Sequence, residues 1–321
     1  TPHTISSPNQ DPRNMFNYKK PILIVLGLTI LFGIAWYERR AIFDAAGQLH
    51  ATRTGLAVCI LVLANLFSAF FFAKLLQAKH PSILSIKELA GTYLVAQSAK
   101  YFPGKIWSIV LQASYLNHRV SAALLVTTNI DVSLIFMAVT AALGASILLS
   151  LSSYPVTAVA LIAITFAAAY ITAKLRILDQ VTSWLLSRIM RSTPALPILR
   201  SPSPGALAAL PFLSLLTGFS FTYLLGWSLF AGPALGNSWA DGILWTALIA
   251  LSYVIGIASL LPAGIGVREL SIVSIAPFFG LDVDHAAGIA VVSRVVLIGI
   301  DIAGVGVGAI LLFRGDRRFQ C

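Results

Sequence analysis

The chain has 321 residues, 58% of them hydrophobic and only 11% charged, with a mean hydropathy of +0.86 and a formal net charge of +10. An ordinary soluble domain carries about a quarter charged residues. Here 22 Lys and Arg with 12 Asp and Glu are too few to cover a water-exposed surface of this length, and lipid removes the need for that cover. The composition excludes a soluble fold and predicts an all-α integral membrane protein. Its positive excess is assigned to cytoplasmic loops and acidic lipid headgroups, not to nucleic acid. The cysteines, Cys59 and Cys321, supply neither a disulfide framework nor a thiolate metal site, and no cofactor or metal is expected.

In chain order, residues 1–20 are polar and read as a disordered cytoplasmic tail. The run 21–37 is long enough to span and lacks a small-residue cleavage site, so it reads as an uncleaved signal anchor and first transmembrane helix. Further spans are expected at 54–76, 120–149, 155–173, 205–231 and 286–313, about six in all, followed by a cytoplasmic tail at 314–321. Two apolar stretches, 89–116 and 242–281, are interrupted by YFPGKIW and LLPAGIGVREL. Splitting the first at Pro103 leaves arms of about 13 residues, about 20 Å each, too short for about 30 Å of hydrocarbon. A re-entrant helical hairpin follows there. The second stretch is either another hairpin or two full crossings. Broken backbone at membrane depth needs protein or a water-filled cavity around it, so these tips should avoid lipid. Residues 174–191 read either as an amphipathic helix on the inner interface or as a helical extension into a basic loop; four prolines make 192–204 a linker.

With both termini cytoplasmic, in a multi-pass plasma-membrane (inner-membrane) topology, 15 of the 22 Lys and Arg fall in cytoplasmic segments, Lys79 among them. Only Arg39, Arg40 and Arg53 fall outside. The order helix, helix, hairpin, helix then occurs twice within the single transmembrane domain 21–313, over about 21–149 and 155–313, with the basic linker 174–204 inside the second copy. An odd number of crossings per half inverts that copy, and inverted repeats with discontinuous helices are a transporter architecture.

No GxSxG, HExxH or CxxC string is present, and five histidines are scattered singly, so no catalytic residue is assigned and an enzyme is not expected. Gly304 and Gly308 form a GxxxG packing face in the last span. Charge inside the apolar segments stands out instead: Lys100, Lys105, Asp131, Arg268, Glu269, Arg294 and Asp301. Such charges cost several kcal/mol on insertion scales, face a cavity or partner, and mark pathways. Four cations against three anions leave the interior net positive, which suits an anionic headgroup such as a phosphodiester; arginine grips phosphate bidentately. Arg294 and Asp301, seven apart, share a helix face.

The strings LPAGIGVREL and YFPGK resemble the transmembrane, flippase-like domain of the lysylphosphatidylglycerol synthase family. Its Leu-Pro-Gly-Gly-hydrophobic-Gly-x-x-Glu signature falls on Leu261, Pro262, Ala263, Gly264, Ile265, Gly266 and Glu269, with Ala263 replacing the first glycine. Its Tyr-hydrophobic-Pro-Gly turn falls on Tyr101, Phe102, Pro103 and Gly104, and an arginine of its last helix on Arg294. The family often shows Glu-Arg shortly before an Asp in the helix after the first hairpin; here only Thr128 and Asn129 precede Asp131. The resemblance implies a stand-alone member that moves an anionic phospholipid or lipid-linked headgroup between leaflets, serving a separate lipid-modifying or glycan-synthesis enzyme. The competing expectations are a membrane-embedded transferase acting on polyprenyl-phosphate lipids and a non-transporting assembly partner of such an enzyme.

Overall fold

The computed structural model describes residues 51–79, 84–101, 107–116, 119–151, 239–259 and 261–316, with Trp36 and Ala160 as isolated helical positions. Apart from those two positions and the helical backbone of 314–316, the expected spans at 21–37, 155–173 and 205–231, both tails and the linker 174–204 lie outside these residues. Among the described residues every regular element is helical and no strand occurs.

Helix α1 (Ala51–Lys79) is apolar around its whole circumference, the pattern of a helix surrounded by lipid or protein. Helix α2 (Ile86–Ala96) starts where the Ser85 side chain accepts the Glu88 backbone N–H at 3.1 Å, and Glu88 places an acid in its positive first turn. The chain tightens into a 3-10 turn at Gln97–Tyr101, several residues before Pro103, and returns as α3 (Trp107–Tyr115). Val95 and Ala99 pack on Leu111, so the two arms fold against each other. Then comes α4 (Ala122–Leu151).

In the second half α5 (Trp239–Ala258) is followed by a short 3-10 turn, Pro262–Gly264, and by α6 (Val267–Ile275). Another 3-10 turn, Ala276–Phe279, leads to α7 (Val283–Asp316). Asp282 accepts the His285 backbone N–H at 3.1 Å, which with the His285 ring holds its carboxyl below the usual range at the start of α7. Helix α5 is 20 residues, about 30 Å; α6 with its 3-10 extension is 13 residues (267–279), about 20 Å and shorter than a hydrocarbon core. Helices α1, α4 and α7 contain spans of 22, 28 and 31 residues long and apolar enough to cross a membrane. Their ends lie two or three residues from those expected from sequence.

Helix α7 is the spine of the bundle, touching α1, α2, α6 and the first 3-10 turn. It crosses α2 at Gly91 and Gly308, where a Cβ built on Gly308 would stand 2.8 Å from the Gly91 carbonyl oxygen. A Cβ on Gly304 would meet the Asn65 side chain of α1 at 2.9 Å, so both glycines of the GxxxG string lie on a packing face. Glu88 and Arg119 are ion-paired, which puts the start of α2 and the α3–α4 connection at one end of the bundle. The Gly91–Gly308 crossing puts the C-terminal part of α7 there too. At the other end α5 packs on the far half of α4 through Ala247, Ala250 and Leu251 around Gly144. Thus α2 and α5 run into the middle from opposite ends, and the two breaks meet there: Tyr101 packs with Ile298 of α7 and with Ala263.

The second break has a local cause. Ala263 sits at φ 48°, in the left-handed region, and Gly264 at φ 67° lies so close to α5 that a Cβ would stand 2.9 Å from the Gly256 Cα. Glycine fits Gly264 on both counts. At Ala263 a side chain is carried where it costs about 1–2 kcal/mol. Ala263→Gly is therefore expected to raise stability by about 1 kcal/mol, after the entropy that glycine adds to the unfolded chain. Thermal unfolding in detergent checks this; a lower midpoint would show that the alanine is not strained.

Candidate functional site

The break Gln97–Tyr101 brings Lys100 and Tyr101 against the middle of α7. The middle of the α7 span Val283–Phe313 is Ile298, with Arg294 about 6 Å toward one end and Asp301 about 4.5 Å toward the other. Both carboxylate oxygens of Asp301 are engaged: the Lys100 Nζ lies 2.8 Å from Oδ1 and 2.7 Å from Oδ2, and the Tyr101 hydroxyl donates to Oδ2. Asp301 is buried, whereas the Lys100 side chain is 36% exposed.

The second break supplies the rest. Gly266 ends it, and its backbone N–H donates to Glu269 Oε2 at 2.8 Å, which caps α6. The other carboxylate oxygen of Glu269 accepts from Arg294 Nη1. Glu269 is thus committed on both sides, and its chain neighbour Arg268 is left with a different environment. The Arg268 residue is 7% exposed; its Nη2 donates to the Ser293 hydroxyl at 3.2 Å, and its Nε has no hydrogen-bond partner among the described residues. No carboxylate lies within ion-pair distance of that guanidinium among the described residues. Among the described residues the Arg268 charge is therefore balanced only at a distance, by Glu269, and a buried charge without a directly paired carboxylate is costly.

Of the residues expected from sequence, the structure brings Lys100, Arg268, Glu269, Arg294 and Asp301 to the junction of the two breaks, with Pro262, Gly264 and Gly266 forming the second turn. Lys105, Pro103 and Gly104 lie outside the described residues. Asp131 is placed elsewhere: it pairs with Lys79 in the interface of α1 and α4. Lys79, counted from sequence among the cytoplasmic cations, is buried at the end of α1. Arg294 and Asp301 hold different partners, one from each break. Sequence reasoning missed Tyr101 and Ser293 as contributors. Tyr101 carried a signal, a hydroxyl beside an intramembrane lysine; Ser293 carried none beyond preceding Arg294. Three cations and two anions leave the described junction with one positive charge in excess.

The described residues define a helical bundle with three helices long and apolar enough to cross a membrane and a charged junction at mid-length. Comparison with known proteins finds no family model and no curated sequence that match it.

Proposed function

We propose that the protein is a lipid flippase or transporter of two inverted halves, about six transmembrane helices and two re-entrant hairpins, a relative of the lysylphosphatidylglycerol synthase transmembrane domain. The approach of α2 and α5 from opposite ends supports the inverted halves, and the short second arm supports a hairpin over two crossings at 242–281. The proposed cargo is an anionic phospholipid or lipid-linked phosphate. Its headgroup enters the junction while its chains stay in the bilayer.

The observation that carries the reading is Arg268, a buried guanidinium whose neighbouring carboxylate is already taken by Arg294 and by the Gly266 N–H. Lys100 and Arg294 flank the same junction, and arginine binds phosphate through parallel N–H donors. Vesicles reconstituted with the protein and carrying fluorescent phosphatidylglycerol test this. Lipid should exchange between leaflets with the wild type, and Arg268→Ala or Arg294→Ala should cut the rate by at least tenfold, about 1.4 kcal/mol in barrier. Chemically altered lipid without exchange would instead identify a transferase.

A further inference from the structure

We propose that Asp301 takes up a proton when Lys100 turns from it to the lipid phosphate, so that the protein moves one proton with each phosphodiester anion. This rests on the anion-binding reading above and adds the co-transported species. Asp301 is 5% exposed and near the middle of α7, where a lone carboxylate is expensive. Among the described residues its charge is balanced by one ammonium, that of Lys100, and the Tyr101 hydroxyl adds a single donor. The other described ionisable groups around it do not replace that ammonium. Tyr93 of α2, within electrostatic reach of Asp301, carries a phenol and supplies no cation. Arg294 of α7 and Arg268 of α6 stand near the Tyr101 phenol, but the first is bound to Glu269 and the second to Ser293. At this level α1 presents the neutral Asn65, beside Gly304, and the Ala276–Phe279 turn has no ionisable residue.

Lys100 is the more exposed member of its pair, so it is the group an arriving phosphate meets. When the phosphate oxygen takes the ammonium, the ion pair to Asp301 breaks and the carboxylate is left buried with a hydroxyl. Burial without a counter-charge favours the neutral acid. One proton from water adds to a carboxylate oxygen of Asp301. The anion's charge and the proton's cancel, and the junction keeps the net charge it had when empty. On release the steps reverse: Lys100 returns and the proton leaves.

The test is calorimetric titration of the full chain in detergent with dihexanoyl phosphatidylglycerol, repeated in buffers of different ionisation enthalpy. About one proton should be taken up per anion bound, and affinity should rise by up to tenfold per unit fall in pH. Dimethyl phosphate, run in parallel, separates a lipid headgroup from any small phosphodiester; uptake with either supports the linkage. Asp301→Asn should bind with no proton uptake and a flat pH profile. Wild-type binding without proton uptake overturns the inference and leaves the anion site standing. No binding of either probe removes both. The wild-type stoichiometry decides whether a proton accompanies the anion even if that variant does not fold, and Glu269→Gln, in which uptake should persist, separates Asp301 from the other junction carboxylate.

Discussion

Asp131→Ala is expected to destabilise the folded chain by about 3–5 kcal/mol. The Asp131 and Lys79 side chains are 2% and 10% exposed, and their ion pair joins α4 to the end of α1. Removing the carboxylate takes from the buried ammonium the counter-charge that Asp131 supplies, and the cost is the desolvation of that charge more than the loss of one contact. Replacing both members, Lys79→Met with Asp131→Leu, should recover most of the loss, because two apolar side chains of similar volume need no counter-charge. Thermal or denaturant unfolding in detergent measures both. A single variant as stable as the wild type, or a double variant no better than the single, would show that the pair is incidental to stability.

Arg268→Met should do the opposite. The guanidinium holds one hydrogen bond, to Ser293, and lacks a carboxylate within ion-pair distance among the described residues. Methionine fills similar space without a charge to desolvate, so stability should stay level or rise by about 1–2 kcal/mol. Lipid exchange in vesicles should nevertheless fall to the rate of protein-free membranes. That separation of stability from activity distinguishes a binding residue from a packing one: a structural role would lower both together. Retained exchange in Arg268→Met would sink the assignment of this arginine to the anion.

The contrast between these two buried cations was only partly legible in the sequence. Both belong to apolar surroundings, but Lys79 ends its helix and resembles any boundary lysine. Its burial depends on Asp131 arriving from α4, 52 positions along the chain. Arg268 and Glu269 are adjacent and look like mutual partners. The cap on Gly266 and the reach of Arg294 from α7 instead commit both Glu269 oxygens, and Arg268 hydrogen-bonds Ser293. The breaks themselves were readable from Pro, Gly and the lengths of the flanking arms. Less readable was the exact place of the first: the helix leaves α geometry at Gln97, before the proline. A 3-10 turn there presents Lys100 and Tyr101 together to Asp301.

By itself the sequence determined the solvent and the element type: with 11% charged residues, backbone polar groups must be satisfied within helices, and proline and glycine mark where those helices stop. It also named most of the ionisable groups buried in the described bundle, because a charge in an apolar run is visible without coordinates. Only the tertiary structure decided which charge answers which. Pairing between residues 25, 52 or 201 positions apart depends on helix crossings such as Gly91 on Gly308 and on the meeting of two breaks, and sequence spacing does not encode either. The net charge of +10 was legible from composition; the single positive excess at the described junction follows from those crossings.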